Sequence, residues 1–508
     1  MLQKKLKHNF FNLLKWVLIA FDAFAISWVT QFVFLGKPCF LFPALLVTFI
    51  LIQCPKVRLA LNTVAILSAL MFPVSRTLQD GLLQWASVEV LMTTNFDEAV
   101  GFQESLPKNL VLQTLCIVAI LLLFVIFNKR FSISFSPKQH KVLLVICIAL
   151  TPYLGITAYK HLAPRIADMQ QAYADLTTTQ ELIPPDIKIT SQSKKHKKKY
   201  VVVIGESMRA DMLSAYGFPF GTTPNIDAMP KEMITDFVTP APYTIVSVPR
   251  LLSIVHNDGS IEIQNNAVTV AKAAGFKTYW ISSQGFTGQW QIGAKTLSAY
   301  ADNSYFSPIQ IDDLLLPEIE KVLALNESQV LFVHIIGSHE NPCNRLGNYE
   351  NKYKTEGNKT LSCYLTTYNR TDEFLANIVS MLKKNSSNDY SMMYFSDHGL
   401  NFVKDGNGYS LKRDPTVKQG YQSPFFVTSG DMTSTIIHKT LRSGNNLMSY
   451  FPTWFGVTTN KTPDGYDIFK APDDEPMIMS YDEILHPYKS LKDSVKAEEM
   501  AKVVKATK

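Results

Sequence analysis

A chain of 508 residues exceeds one ordinary domain, so about two to four are expected. Its formal charge of +6 is modest, and the lack of a basic stripe interleaved with aromatics argues against a nucleic-acid partner. Six cysteines without a Cys-x-x-Cys pair argue against a structural zinc ribbon. The 47% hydrophobic content is unevenly spread, and most long apolar runs lie before residue 163.

Five segments, approximately 10–35, 38–54, 58–75, 109–127 and 141–162, are apolar and long enough to cross a bilayer, which predicts a transmembrane domain over 1–163. Lys4, Lys5 and Lys7 precede the first span. Lys56 and Arg58 separate the second from the third, and Lys129, Arg130, Lys138 and Lys141 separate the fourth from the fifth. Placing those loops in the cytoplasm satisfies the positive-inside rule at each one. The first run is long, carries Asp22 and lacks a small-x-small exit, so it reads as a span and not as a cleaved signal peptide. Asp22 is either a snorkelling residue near a span end or a packing contact.

An odd number of spans puts everything after about residue 163 outside. Cys343 and Cys363, the two cysteines in polar sequence, then lie in an oxidising space and are expected to pair. The other four fall in apolar segments as small hydrophobes. The loop over 76–108 is outside too, and it mixes Leu82, Leu83, Val88, Val90, Leu91, Phe96 and Val100 with acids, as an amphipathic helix on a membrane surface does. Within it Thr94 and Glu98 are four apart and share a face, which by itself fits a capped surface helix. Residues 164–199 read as a linker: Ile183-Pro-Pro-Asp186 breaks any helix, and Lys194-Lys-His-Lys-Lys-Lys199 is a solvated charge run able to touch anionic headgroups. A soluble domain follows over 200–485, then a charged tail over 486–508.

The soluble domain begins with Tyr200-Val-Val-Val-Ile-Gly-Glu206, a buried strand that stops at a carboxylate. In open α/β sheets, ligands sit outside the carboxyl ends of such strands. Two later runs repeat the pattern, Val330–Ile336 leading to Gly337-Ser-His339 and Tyr390–Phe395 leading to Ser396-Asp-His-Gly399. One Glu, one His and an adjacent Asp-His pair at three strand ends look like one site with metal-type ligands. Lys277–Ser282 is a further strand, and helical stretches near 267–274, 318–325 and 371–384 come before strands. This alternation predicts an α/β fold, a sheet flanked by helices on both faces.

Between the first two strands lies Ala241-Pro-Tyr-Thr244-Ile-Val-Ser247-Val-Pro249-Arg250, where a hydroxyl flanked by prolines is either turn chemistry or a nucleophile. Gly205-Glu-Ser-x-Arg-x-Asp211, Thr244-x-x-Ser-Val-Pro249, Gly337-Ser-His339 and Ser396-Asp-His-Gly399, behind five spans, resemble the membrane-bound phosphoethanolamine transferases. These belong to the alkaline phosphatase and sulfatase superfamily. Asn341-Pro-Cys343-Asn-Arg345, with Cys363-Tyr364 and Thr371-Asp372 beyond, is most similar to the branch acting on lipopolysaccharide core sugar.

The resemblance implies an alkaline-phosphatase-like domain on the periplasmic side of a bacterial inner membrane. It implies phosphatidylethanolamine as donor and lipopolysaccharide, through its core or lipid A, as acceptor. Thr244 matches the nucleophile, while Glu206, Asp397 and His398 match zinc ligands, with the Thr244 oxygen completing the set. His339 matches a position that contacts the phosphate or a second metal, and it could protonate the leaving group. Thr94 and Glu98 match outer-loop residues that contact the donor headgroup. Relatives often carry another His shortly after Asp-His-Gly, but residues 400–424 have none and offer Lys412, Arg413 and Lys418. One zinc is therefore expected, with a second metal left open and Lys412 expected to hold the phosphate. The Asn that relatives often have after Trp-Ile-Ser is Ser283 here, and Gln284 beside it is counted as substrate-binding.

Four rivals remain, and one of them is phosphoethanolamine transfer to another periplasmic glycan. A sulfatase shares the fold but needs a Cys/Ser-x-Pro-x-Arg frame, and Arg250 follows Pro249 one place too early. A phosphoglycerol transferase of the lipoteichoic acid type shares the spans and the nucleophile. A membrane scaffold that binds metal without turnover is the non-enzyme reading.

Overall fold

The computed structural model describes residues 2–35, 55–78, 82 and 108–127, and parts of 138–170. It also describes 182–506 without 194–195, 285–291, 356–357, 406–407, 413 and 481–483. Two units form: the described residues up to 170 belong to the first, and those from 182 onward to the second.

The first unit contains the helices α1 (Leu2–Leu35), α2 (Pro55–Leu70) and α3 (Lys108–Phe127). Ile19, Ala23, Ile26, Val29 and Val33 recur every three or four residues, so they form one stripe on α1. That stripe clusters with Ala65 and Ala69 of α2 and Leu121 of α3. Asp22 is buried beside it and accepts a hydrogen bond from Asn62 Nδ2 of α2 at 3.4 Å, so it is a packing contact. The outward faces are apolar as well, with Phe21, Leu67, Leu115, Leu123 and Ile126 exposed. Among the described residues, Leu13–Phe34 and Asn109–Ile126 are long and apolar enough to cross a membrane, and Arg58–Leu70 is apolar but shorter. The expected third span breaks at Met71, before a short helix over Phe72–Leu78. The expected second span, most of the 76–108 loop and both Thr94 and Glu98 lie outside the described residues, and the fifth span is described only in part.

The second unit is built on an eight-stranded sheet. Its strands are β1 (Lys199–Gly205), β2 (Glu232–Val238), β3 (Lys277–Ser282), β4 (Asn303–Phe306), β5 (Gln329–His334), β6 (Tyr390–Ser396), β7 (Gln422–Ser429) and β8 (Ile436–Ser443). The spatial order is β8-β2-β7-β6-β1-β5-β3-β4, and β7 alone runs against the others. The helices that matter here are α4 (Thr244–Leu252), α5 (Ala267–Ala273), α6 (Leu316–Ala324), α7 (Lys359–Ser386) and α8 (Leu447–Phe455).

Central strand β1 is buried along its whole length, as an apolar run covered on both faces must be. Val201 and Val203 join a core with residues of α6 and α7. Tyr200, Val202 and Ile204 face the other way, into a core with α4, α5 and α8. Full burial of Val201, Val202, Val203 and Ile204 stabilises by about 1.5–3 kcal/mol per side chain. The parallel register then lines up the strand ends: Gly205 lies opposite Ser396, and His334 lies opposite both Ile204 and Ser282. Glu206, Asp397 and the residues after Ser282 therefore emerge along one edge of the sheet, where the polypeptide leaves regular pairing.

The linker and tail differ from expectation. Ile189–Gln192 pairs antiparallel with Val457–Thr459, Ile187 is buried, and Asn265 Oδ1 accepts the backbone N–H groups of Asp186 and Ile187. Pro184 and Pro185 keep the chain extended while Ile187 finds apolar partners, so this stretch belongs to the second unit. Lys199, the last residue of the charge run, is buried. Its ammonium donates to the Leu323 and Leu325 carbonyls at the end of α6, where free helix carbonyls attract a cation. At the other terminus Val504–Ala506 pairs with Tyr353–Thr355, and Ala497 and Met500 enter the core.

Candidate active site

Glu206, Asp397 and His398 are fully buried, and each offers a ligand atom within 4.8 Å of the other two. His398 Nε2 is 3.4 Å from Glu206 Oε1 and 3.4 Å from Asp397 Oδ2. His398 Nδ1 lies 2.8 Å from the Gly399 carbonyl, an acceptor, so Nδ1 carries a proton and donates it there. This leaves Nε2 as the ring atom turned to the two carboxylates. Asp397 Oδ1 accepts from the backbone N–H groups of Ser207 and His398 at 3.0 and 2.8 Å, while Asp397 Oδ2 is buried without a hydrogen-bond partner among the described residues. Burial pushes the Glu206 carboxyl up to about 7, with the charge of Asp397 adding to it, and pushes Asp397 up to about 6.

These features fit a divalent cation. Two buried carboxylates converge on one imidazole nitrogen, an accumulation of negative charge that a divalent cation would offset. Zinc bonds of about 2.0–2.2 Å in a tetrahedral set separate their ligand atoms by roughly 3.4 Å, in line with both spacings to His398 Nε2.

Thr244 is the first residue of α4, and its Oγ1 donates to Glu206 Oε2 at 2.9 Å. The helix is fixed against the strand end by Ser247 Oγ, which donates to the Asp397 carbonyl at 2.5 Å. Placement at a helix N-terminus puts the positive end of the helix dipole beside the hydroxyl, where negative charge is favoured.

Gln284 also reaches this cluster. Its Nε2 donates to Glu206 Oε2 at 2.7 Å and to the Ile335 carbonyl at 2.9 Å. Both amide hydrogens are engaged by the protein, so Gln284 orients Glu206. His339 lies outside the three-residue cluster, half-buried, with Nδ1 3.3 Å from Arg345 Nη2. Lys412 pairs through its backbone opposite Asn401 in a hairpin that begins three residues after His398. Thr94, Glu98 and Arg413 are outside the described residues. Cys343 and Cys363 form a disulfide with 4.9 Å between their Cα atoms. Closing a loop of 20 residues contributes about 3 kcal/mol on the chain-entropy account.

Several positions supporting the site carry no chemical signal of their own. Ser207, in a left-handed conformation at φ 57°, donates its hydroxyl to Glu206 Oε1 at 2.6 Å. Buried Asp312 accepts the Ser283 hydroxyl and the N–H groups of Ile336 and Gly337 at 2.5, 2.9 and 3.0 Å, fixing the turn that leads to His339. Arg209 grips Asp211 through Nε and Nη2 at 2.9 and 2.6 Å, which locks the chain just beyond Glu206. In Asp-His-Gly, a side chain at Gly399 would collide with the Gln419 carbonyl. The Gly-Glu-Ser-x-Arg-x-Asp and Asp-His-Gly patterns are thus partly ligands and partly their scaffolding. Asp312 lies in no motif, and sequence reasoning had no signal for it.

A sequence profile of the Sulfatase family matches residues 198–460. Phosphoethanolamine transferase OpgE of Escherichia coli (strain K12) is 35% identical over 270 residues, 51% of this chain and 50% of that protein. The chain spans about half the length of the curated relatives it matches. Among solved structures, the integral membrane lipooligosaccharide phosphoethanolamine transferase A (EptA) from Neisseria meningitidis superposes with a TM-score of 0.57 at 16% identity, covering 89% of this chain and 97% of that one. The C-terminal periplasmic domain of EcEptC from Escherichia coli, in complex with Zn, gives a TM-score of 0.52 at 20% identity, covering 61% of this chain and 98% of that one. At these identities the likeness to the two structures is one of fold.

Proposed function

The chain belongs to the sulfatase family, and from that premise we propose that it is a phosphoethanolamine transferase of a bacterial inner membrane. In this reading phosphatidylethanolamine is the donor and lipopolysaccharide the acceptor, and five spans hold the catalytic unit in the periplasm. The relatives named phosphoethanolamine transferase support the group transferred. The observation that carries the reading is the Thr244 hydroxyl, at a helix N-terminus and 2.9 Å from a carboxylate of the metal-type cluster.

Glu206, Asp397 and His398 would hold zinc, with Thr244 Oγ1 beside it. Zinc bound there would favour the threonine alkoxide and polarise the phosphoryl group. Thr244 Oγ1 attacks the phosphorus of the donor, the bond from phosphorus to the diacylglycerol oxygen breaks, and the diacylglycerol leaves with the threonine proton. Phosphoethanolamine stays on Thr244. An acceptor oxygen then attacks the same phosphorus, and Thr244 departs with the acceptor's proton. Gln284 and Ser207 keep Glu206 in place through both steps, and Lys412 supplies positive charge for the phosphoryl oxygens.

The donor is anchored at a bilayer surface, so its headgroup needs a receiver. The outer loop over 76–108 has the amphipathic composition for the interface, with Thr94 able to donate to a phosphate oxygen and Glu98 to pair with the primary ammonium. An exposed ion pair alone is worth about 0–1 kcal/mol, so a larger effect requires partial desolvation of the headgroup.

The test follows radiolabel from phosphatidylethanolamine and from phosphatidylglycerol to lipopolysaccharide with the purified, zinc-loaded full chain. Transfer from phosphatidylethanolamine is expected. Transfer from phosphatidylglycerol alone would make the protein a phosphoglycerol transferase, and zinc binding without any turnover would make it a scaffold. In the same assay Glu98→Gln is expected to raise the KM for phosphatidylethanolamine far more than for a short, soluble phosphate ester. Equal losses on both substrates would make Glu98 a folding residue.

A further inference from the structure

The segment after His339 brings a guanidinium onto that imidazole. Arg345 is buried, and its Nη2 lies 3.3 Å from His339 Nδ1 while Nη1 donates to Gln310 Oε1 at 2.8 Å. Nη2 also donates to the Glu340 carbonyl at 3.4 Å, and that carbonyl is 3.4 Å from His339 Nδ1. Two ring states therefore compete. Either Nδ1 accepts from Arg345, or Nδ1 carries a proton and donates to Glu340. A guanidinium has donors and no acceptor. A proton on Nδ1 would point at that cation.

We propose that Arg345 is a positioning residue that holds His339 as the neutral tautomer with its proton on Nε2. The surroundings keep Arg345 in register for this. Cys343, two residues earlier, is bonded to Cys363 of α7, and Arg370 of the same helix donates to the Arg345 carbonyl. Cys363 and Arg370 are seven residues apart, two helical turns, so they lie on one face of α7. Arg370 is in turn paired with Asp313 at 3.0 Å. One helix thus fixes the segment at two points.

The consequence for catalysis rests on the transferase reading. A neutral ring with its proton on Nε2 can donate a hydrogen bond to a phosphoryl oxygen. Releasing that proton would leave an imidazolate, so His339 is not the acid that protonates the departing diacylglycerol. The hydrogen bond to a phosphoryl oxygen agrees with the phosphate contact that the family resemblance implies, while the acid role falls away.

The experiment is nitrogen-15 NMR of the full chain in detergent with labelled histidine rings, without substrate, His339 being assigned against His339→Gln. The wild type is expected to show His339 with a bare Nδ1 and a protonated Nε2. Arg345→Met is expected to lose that preference, and Arg345→Lys, which keeps a cationic donor, to restore it in part. A protonated Nδ1 in the wild type would overturn the proposal, as would unchanged ring signals in a folded Arg345→Met protein. If that variant does not fold, the wild-type spectrum alone decides the tautomer. In parallel, Arg345→Met is expected to lower kcat about 10–100-fold, as loss of an orienting partner does, with zinc content unchanged and recovery in Arg345→Lys. Absence of transfer in the wild type would fell the transferase reading and leave the ring measurement standing.

Discussion

Thr244→Ala is expected to abolish transfer while leaving zinc content and fold nearly intact. Removing a nucleophile costs on the order of 10⁴–10⁶ in kcat, because no neighbouring group replaces the covalent step. The metal-type cluster survives the change, since Glu206, Asp397 and His398 contribute their ligand atoms independently of Thr244. Alanine is also a good helix former, so the first turn of α4 stays helical, and Ser247 still ties that helix to the Asp397 carbonyl. The hydrogen bond lost to Glu206 leaves that carboxylate held by Ser207 and Gln284. Metal analysis and transfer assays on one preparation check both halves. Activity within a few-fold of wild type would remove Thr244 as the nucleophile.

Asp397→Asn and His398→Ala are expected to lose zinc and activity together. Asp397 has two separate duties. Its Oδ1 is saturated by two backbone N–H groups, and Oδ2 faces His398 Nε2 at 3.4 Å. An asparagine can keep the first contact but then turns an NH₂ toward the cluster, where it repels a cation. His398→Ala removes the one imidazole of the set, leaving only carboxylates. Changes to residues that merely support a metal site weaken binding about 10–100-fold, and loss of a ligand itself is expected to exceed that. Full zinc in both purified variants would make the proposed ligand set wrong.

Much of this site can be read from three apolar runs. Each is a strand buried on both faces, and each leads to a residue of a type able to hold a metal or a phosphate. Parallel register converts that repetition into proximity, by setting Gly205 opposite Ser396. Thr244 is harder, because a threonine between prolines is ordinary turn chemistry until the neighbouring motifs give it a family. The structure adds that it opens a helix directed at Glu206.

Other features were not legible, for a common reason: they depend on contacts between distant residues. Gln284 holds Glu206 from 78 positions away. Lys199 looks like the end of a solvated run, yet the open carbonyl end of α6 takes its ammonium. Residues 182–193 look like a polar linker, but a partner strand more than 260 positions later draws them into the fold. β2, β7 and β8 form one side of the sheet, and their shorter apolar runs, broken by Asp236, Pro424 and Lys439, carry a weaker strand pattern than β1 or β6.

The central claim is a covalent phosphothreonine. It is tested most directly by incubating the zinc-loaded full chain with phosphatidylethanolamine without acceptor, quenching in acid and mapping the peptides by mass spectrometry. The account predicts a phosphoethanolamine adduct on Thr244, lost on adding lipopolysaccharide and absent from Thr244→Ala. Turnover that leaves Thr244 unmodified, or an adduct on another residue that forms equally in Thr244→Ala, would contradict it.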